Sequence, residues 1–354
     1  MIRKTYCDYL RLAATFAVIM LHVSGSNWYG TDVNGLEWQT FNFYDSLARW
    51  AVPVFVMISG SLFLGRDIDI KSIYSKYILR LVTAFVFWSF FYVLVAPETL
   101  KKGIVYEITT HLGAIVSGHF HMWFILMLIG LYMCIPILRK IVLEETTTRY
   151  YLSLSFIFAF LLPWILKILN DFVAYKNGTV LKMINRINAN ISTMGMNIVL
   201  GYAFFFVLGY FLDKADLQKK TRFLIYAAGI AGAFFTIFVD LRLAERTQQA
   251  CSNYYNSFDV NVVCEAIAVH TLFKYHKFQN VKSDRIVAAL SAYGFGIYLV
   301  HPFFMEMISS VFHLNTLSFD PRLSVPLISL LVLVLAFCFS VIINQIPVIK
   351  NYVV

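Results

Sequence analysis

Ten apolar windows of about 18–22 residues recur along the whole of this 354-residue chain. Each window is long enough to cross a hydrocarbon layer ~30 Å thick as a helix. Hydrophobic residues make up 59% of the chain and charged residues only 14%, so one soluble core would leave much apolar surface in water. We therefore predict an all-α polytopic membrane protein that forms a single domain over residues 1–354. The windows are about 9–28, 45–64, 80–96, 121–138, 151–169, 195–213, 223–240, 258–275, 286–307 and 323–343.

The basic residues indicate which helix ends face the cytoplasm. With the N-terminus inside, the inner segments hold 19 of the 29 Lys and Arg residues but only 8 of the 20 acidic residues. This asymmetry follows the positive-inside rule, so both termini are expected in the cytoplasm and residues 1–4 are expected to open an uncleaved signal anchor. The net charge of +9 then reflects topology and attraction to anionic lipid, not nucleic-acid binding. The expected location is the bacterial cytoplasmic (inner) membrane.

Arg11 and His22 are the first candidate site residues. They lie eleven residues apart in the first window, which places them on nearly the same helix face about 16 Å apart along the axis. Ionisable groups are costly in hydrocarbon and usually face a polar interior or a water-filled cavity. Two structural alternatives stay open at this point: Arg11 as an interfacial arginine that sets orientation, and His22 as a hydrogen-bond donor between helices.

Other polar residues fall at matching depths in the predicted bundle. His22, Arg49, His121, Glu265 and His301 are expected toward the outer leaflet. Arg11, Lys76 and Arg80 are expected around the cytoplasmic helix ends. The sequence therefore predicts a basic inner mouth beneath one polar chamber.

Several candidate residues and motifs also have a structural interpretation. Arg49 has a possible partner in Asp45 one helical turn earlier. Trp123 is typical of an aromatic-belt anchor, and Ser59-Gly60 of close helix packing. Glu265, His121 and His301 could serve structure or function equally, and His119 is expected in a loop.

This arrangement suits an acyl-coenzyme A donor. A pantetheine arm is on the order of 15–20 Å long, comparable to the ~16 Å rise from Arg11 to His22. A basic mouth can hold phosphates, and a histidine can deprotonate an acceptor hydroxyl near neutral pH. The five cysteines show no CxxC spacing, so no metal site is expected. Serine-hydrolase elbows, zincin motifs and P-loops are absent from the sequence.

Four motifs in order make the chain similar to a known family. They are Asp8-x-Leu10-Arg11 with His22, Arg49-x3-Pro53-x5-Ser59-Gly60, His121-x-Trp123-Phe124, and Gly296-Ile297-Tyr298-x2-His301. In these the chain resembles the acyltransferase-3 family of membrane O-acyltransferases, and within it the shorter bacterial members of the enterobacterial common antigen O-acetyltransferase kind.

The resemblance implies ten core helices, a cytoplasmic acyl-coenzyme A donor, acetyl-CoA above all, and an envelope glycan or lipid-linked sugar as acceptor. It also implies that Arg11 and His22 are the essential catalytic pair. The basic inner mouth makes Arg11, Lys76 and Arg80 the donor-binding candidates. The acceptor-binding or orienting candidates are Arg49, His121, Trp123, Glu265 and His301. A second class of function remains open: a polytopic exporter or flippase of a polysaccharide or its lipid-linked unit.

Overall fold

The regular structure of the protein is helical throughout the part described here. A computed structural model describes residues 3–95, 112–173, 178–194, 201–278 and 281–347. No strand occurs within these ranges, which confirms the predicted all-α class. The helices in chain order are α1 (Thr5–Gly25), α2 (Leu36–Ser46), α3 (Ala51–Phe63), α4 (Ile70–Val95, π-helical over Ile73–Ile78), α5 (Leu112–Ser117), α6 (Trp123–Met133), α7 (Ile135–Val142), α8 (Glu145–Phe172, π-helical over Phe156–Leu161), α9 (Gly178–Thr193), α10 (Ala203–Lys214), α11 (Lys219–Thr247), α12 (Val260–Tyr275), α13 (Val281–Ala292), α14 (Gly294–Val311) and α15 (Pro321–Ile343).

Six to eight of the described helical segments are long and apolar enough to cross a membrane. The six are α1, α2 with α3, α4, α8, α11 and α15; two more are the pairs α6–α7 and α13–α14, each bent by 60°. These eight correspond to eight of the ten predicted windows. Of the other two, 258–275 forms the 16-residue α12, and 195–213 begins outside the described residues and contains the 12-residue α10. The chain is a multi-pass membrane protein; the count of ten and the orientation of its termini stay predictions.

Lipid, rather than a protein core, faces much of the apolar surface. The apolar window of α15 has a mean hydropathy of 2.9, yet only 28% of it is buried inside the protein. The corresponding values for α11 are 1.9 and 22%. A soluble protein would not leave such helices exposed, whereas a bilayer solvates them without penalty.

The chain divides into two compact units, of which the first comprises residues 1–27, 66–136 and 278–354. In this unit α1 packs against α13, α14 and α15, while α4 packs against α5 and α6. Leu10, Ala14 and Val18 of α1 are buried. Unit 1 thus surrounds the helix that carries Arg11 and His22 with the two segments of the bent pair α13–α14.

The second unit comprises residues 28–65 and 137–277. Its closest helix contact joins α3 and α10, where a Cβ on Gly60 would lie 1.8 Å from the Phe206 carbonyl oxygen. A Cβ on Gly209 would lie 2.1 Å from the Met57 carbonyl oxygen. Glycine is required at both positions because the backbones touch, so Gly60 serves helix packing as the Ser59-Gly60 pair predicted.

Candidate functional site

One unbroken helix carries both members of the predicted catalytic pair. Helix α1 runs from Thr5 to Gly25 without a kink, so Arg11 and His22 keep the ~16 Å axial separation expected from their spacing. Both side chains are half-buried. The helix thus presents a cation in its first half and an imidazole in its second half to the interior of unit 1.

Arg11 is held at the break between α13 and α14. Its Nη1 donates to Ser291 Oγ at 3.0 Å and lies 3.6 Å from Asp8 Oδ1. Gly294, the first residue of α14, lies against the Arg11 stem, since a Cβ there would be 3.5 Å from Arg11 Cδ. The guanidinium keeps 29% of its side chain exposed. It is positioned by these contacts and still reachable by a ligand.

Asp8 connects Arg11 to a second arginine that sequence inspection did not select. Arg3 Nε donates to Asp8 Oδ2 at 2.7 Å, and this hydrogen bond raises the pKa of the Arg3 guanidinium above its ordinary value. Ser291 donates to the other carboxylate oxygen at 3.2 Å. One buried carboxylate therefore holds two cations at the start of α1.

Arg80 meets the same break from another helix. Its guanidinium carbon lies 6.0 Å from the centre of the Phe295 ring, one residue beyond Gly294. Lys76 lies four residues earlier on α4 with an exposed side chain. The structure thus brings Arg11 and Arg80 to one place in unit 1, with Lys76 on the approach along α4.

The second half of α1 reaches a cluster of four histidines. His22 stacks on His301 with ring centres 5.3 Å apart, and His301 meets His121 edge to face at 5.4 Å. His119 completes the set, with its Nδ1 3.0 Å from that of His121. His301 is 0% exposed and His121 is 2% exposed, whereas His22 is half-buried. Three predicted site residues therefore meet at one position.

A hydrogen bond fixes the proton of His301. Its Nδ1 lies 2.7 Å from the carbonyl oxygen of Tyr298, one turn earlier on α14. A carbonyl oxygen can only accept, so Nδ1 carries the hydrogen and Nε2 of the neutral ring keeps a lone pair. That Nε2 is buried and has no hydrogen-bond partner among the described residues. His301 consequently presents an unfilled acceptor.

A chain of contacts gives His121 the same property. His119 Nε2 lies 3.3 Å from Glu306 Oε1, and the carboxylate can only accept. The Nδ1 of a neutral His119 then accepts from the Nδ1–H of His121. This leaves His121 Nε2 as a lone pair, and within the described ranges that buried atom also lacks a partner. Two neighbouring imidazoles therefore offer unoccupied basic nitrogens, which are rare in a folded interior.

Tyrosines and a glycine shape the loop that carries these histidines. Tyr298 donates its hydroxyl hydrogen to the His121 carbonyl oxygen at 2.5 Å. Tyr92 stacks on His119 with ring centres 4.0 Å apart and donates to the Leu299 carbonyl oxygen at 2.8 Å. Gly118 has φ +73°, where a Cβ would also lie 2.8 Å from the Phe85 ring. Only glycine suits that position, and it turns the chain from α5 into the histidine loop.

The remaining predicted acceptor-binding or orienting residues are Trp123, Arg49 and Glu265. Trp123 opens α6 with 45% of its surface exposed and its ring against Phe124. Arg49 and Glu265 belong to unit 2. Arg49 lies 2.5 Å from Asp45 and over the Tyr255 ring, which is the Asp45 pairing that the sequence allowed. Glu265 is 4% exposed, and its Oε1 lies 3.3 Å from Thr236 Oγ1.

His119 shows what sequence reasoning missed. It does lie in a loop, as expected, yet it joins Glu306 to His121. The His119-x-His121 repeat after Gly118 was the available signal. Glu306 carried no such signal, because it follows His301 by five residues, which turn a helix by about 140° and place the two side chains on different faces of α14.

The comparisons with known proteins agree with this architecture. The model of the acyltransferase-3 family, an acyltransferase domain, matches residues 4–345 of the chain. The protein belongs to this family and is a membrane acyltransferase. No curated protein and no solved structure matches the chain. Among the described residues no group of three or more His, Cys, Asp or Glu side chains is arranged to hold a metal ion.

Proposed function

We propose that the protein transfers an acyl group, acetyl in the first instance, from cytoplasmic acyl-coenzyme A to a hydroxyl of a cell-envelope glycan or lipid-linked sugar. The observation that carries this proposal is the cluster of His22, His121 and His301 at the far end of the helix that holds Arg11. An acyl transferase needs a base next to its acceptor and a cation near its anionic donor. Helix α1 provides both. We place the protein in the bacterial cytoplasmic membrane with both termini inside.

Arg11, Lys76 and Arg80 are the proposed contacts to the donor phosphates. A guanidinium can bind phosphate with two parallel hydrogen bonds, and Arg11 is already oriented by Ser291. Since the rise to His22 matches the length of a pantetheine arm, a thioester anchored at Arg11 reaches the imidazole. This geometry supports coenzyme A as the acyl carrier and requires no metal.

His22 is the proposed general base. It is half-buried and can meet two substrates, whereas His301 and His121 are enclosed and suit a positioning role. The acceptor oxygen attacks the thioester carbonyl while His22 removes its proton, and the tetrahedral intermediate expels the thiolate as the C–S bond breaks. The proton on His22 then passes to that thiolate. The products are an ester and free coenzyme A.

His121, Trp123, His301, Arg49 and Glu265 remain the proposed acceptor-binding or orienting residues. His301 and His121 are supported by their unfilled ring nitrogens, which can accept hydrogen bonds from an acceptor hydroxyl. Arg49 contacts Asp45 and Tyr255, and its buried Nε has no hydrogen-bond partner among the described residues.

Purified protein in lipid nanodiscs tests the proposal directly. With radiolabelled acetyl-CoA and the lipid-linked sugar fraction of the source envelope, label should move to the sugar and free thiol should appear in equal amount. An exporter would move the sugar unit across a bilayer without releasing thiol, and that outcome would select the alternative function. Reporter fusions after residue 354, which lies outside the described residues, would test the predicted orientation.

A further inference from the structure

A small cavity lies one helical turn beyond the histidine cluster in unit 1. It has a volume of about 80 Å³ and is bounded by the end of α1, the second half of α14, the loop that follows and one residue of α15. Five of its nine lining residues are polar. They are Ser26, Asn27, Ser309, Asn315 and Thr316.

The lining is polar but carries no charge. No Asp, Glu, Lys, Arg or His side chain is among the nine residues, which otherwise are apolar. Hydroxyl and amide groups can both donate and accept, so they match a ligand whose own groups do the same. A phosphate or carboxylate would require cations, and an acyl chain would not require five polar groups. The chemistry fits a neutral sugar.

Hydrogen bonds join the segments that line the cavity. Asn27 Nδ2 donates to Thr316 Oγ1 at 2.8 Å and so joins the end of α1 to the loop before α15. Asn315 accepts from the Leu317 backbone at 2.8 Å, which holds that loop in one conformation. Ser324 donates to the Thr316 carbonyl oxygen at 2.6 Å from within α15.

Helix periodicity places this cavity directly beside the proposed base. Ser26, the C-cap of α1, follows His22 by four residues and keeps helical backbone angles, and Met305 follows His301 by four residues on α14. Four residues advance a helix by about 6 Å and return to nearly the same face. A sugar edge in the cavity would therefore lie about one helical turn from the His22–His301 pair.

We infer that this cavity, whose volume of about 80 Å³ is smaller than a whole pyranose ring, binds a hydroxyl-bearing edge of the neutral sugar residue that receives the acyl group. The inference rests on the proposed function, of which it specifies the acceptor subsite. The cavity sets which hydroxyl meets His22, while Arg11 and its neighbours hold the donor at the other end of α1.

Two adjacent serines of α14 provide a matched test. Ser309 lines the cavity, whereas Ser310 is also exposed but donates back to the Glu306 carbonyl oxygen and is not part of the lining. Ser309→Cys and Ser310→Cys would each be treated in nanodiscs with a trimethylammonium methanethiosulfonate. The wild-type protein under the same reagent controls for the five native cysteines. Acetyl-CoA affinity and the kinetics of transfer to the lipid-linked sugar fraction would be measured before and after reduction.

Modified Ser309→Cys should show at least a tenfold higher KM for the sugar fraction, reversed by reduction, with acetyl-CoA affinity unchanged within twofold. Modified Ser310→Cys should behave like the treated wild type. In addition, the sugar fraction should slow labelling of Ser309→Cys at least fivefold, and the same fraction stripped of its sugar should not.

Equal effects at the two positions, or no effect at Ser309, would overturn the subsite. Equal protection by the stripped lipid would overturn its assignment to a sugar. If untreated wild-type protein neither binds acetyl-CoA nor transfers label, the proposed function itself is wrong. That result is distinct from an active enzyme whose Ser309→Cys variant ignores the reagent.

Discussion

The histidine cluster of unit 1 and the Lys167–Asp259 pair of unit 2 differ in how their buried polar groups are partnered. In unit 1 the buried nitrogens of His121 and His301 have no hydrogen-bond partner among the described residues. In unit 2 Asp259 is 5% exposed and lies 2.7 Å from Lys167 Nζ, so the buried charge is paired. An unpaired buried polar group costs about 1–3 kcal/mol of stability, whereas a paired one contributes to it. The histidine cluster therefore retains an unfavourable feature that a ligand could relieve, whereas the Lys167–Asp259 pair does not.

Asp240 extends this contrast within unit 2. It is fully buried, and both of its carboxylate oxygens accept from the Tyr254 backbone N–H at 3.2 Å. Burial raises the pKa of the Cys251 thiol to about 12, so the thiol stays protonated and donates to Asp240 at 3.3 Å. The Asp240 carboxylate thus has hydrogen-bond donors from neighbouring residues of unit 2, namely Tyr254 and Cys251. Such a network indicates a structural role.

Glu265 shows that a buried polar atom without a partner also occurs in unit 2. Its Oε2 is buried and lacks a hydrogen-bond partner in the part of the chain described. The same criterion that selects His121 and His301 selects Glu265, and in unit 2 it also selects Arg49 Nε and Trp38 Nε1, but not Lys167 or Asp259. We retain Glu265 as a proposed acceptor-binding or orienting residue on this ground.

The largest expected effect is the loss of catalysis in His22→Ala. A positioned base contributes about 10²–10⁴ in rate, so kcat should fall by that factor while acetyl-CoA affinity changes little. His22→Gln should be equally inactive, because an amide cannot take the proton. Exposed His276 of unit 2, changed to alanine, is the control. Near-native turnover in His22→Ala together with an inactive His301→Ala would move the base to α14.

Removal of the Arg11 side chain should weaken donor binding rather than slow the chemical step. Charge-assisted hydrogen bonds are worth about 1.5–3 kcal/mol, so Arg11→Ala should raise the acetyl-CoA Kd by roughly 10- to 100-fold. Arg11→Lys should recover only part, since a forked donor becomes a point charge. Titration calorimetry measures both. Arg149→Ala removes an exposed arginine of unit 2 and should leave the affinity unchanged; unaltered binding in Arg11→Ala would refute the donor role.

Breaking the Lys167–Asp259 pair should affect stability instead. Lys167→Met leaves the Asp259 carboxylate buried without its cation. The free energy of unfolding should fall by about 3 kcal/mol, the low end of the range for buried pairs, because Lys167 is 29% exposed. The melting temperature should drop by several degrees, and Lys167→Met with Asp259→Asn should recover part of it. The folded fraction should transfer acetyl groups at the normal rate. A selective loss of kcat would show that unit 2 also takes part in the chemistry.

The smallest expected effect concerns the outer end of the histidine chain. Glu306 is 58% exposed, and exposed ion pairs contribute about 0.2–1 kcal/mol, so Glu306→Gln should lower kcat by no more than about fivefold. His119→Ala removes the partner of His121 and should have a larger effect. Steady-state assays of both variants measure the difference. Equal losses would indicate that Glu306, rather than His119, controls the orientation of His121.

The sequence predicted the helical class, eight of the windows that can span a membrane, and three of the four clustered histidines. These follow from local properties: hydropathy, helical period and the cost of ionisable groups in lipid. The link from Glu306 to His119 could not be predicted, because it depends on how distant segments pack. The same holds for Ser291, which orients Arg11 across 280 positions of sequence. The role of Arg49 was ambiguous for a different reason. Asp45, one helical turn earlier, offers a local partner, so the sequence did not distinguish an ion pair from a binding role.

The 60° bend between α13 and α14 couples the position of Arg11 to the position of His301. Arg11 touches the segment on both sides of the bend, at Ser291 and at Gly294. His301 lies seven residues, or about 10 Å, along α14 from that pivot. A rotation of only about 10° at the bend would displace His301 by roughly 2 Å, well beyond the ~0.5 Å tolerance of a productive site. The alignment of the imidazoles thus depends on the bend between α13 and α14, which is contacted by Arg11, the residue proposed to bind the donor.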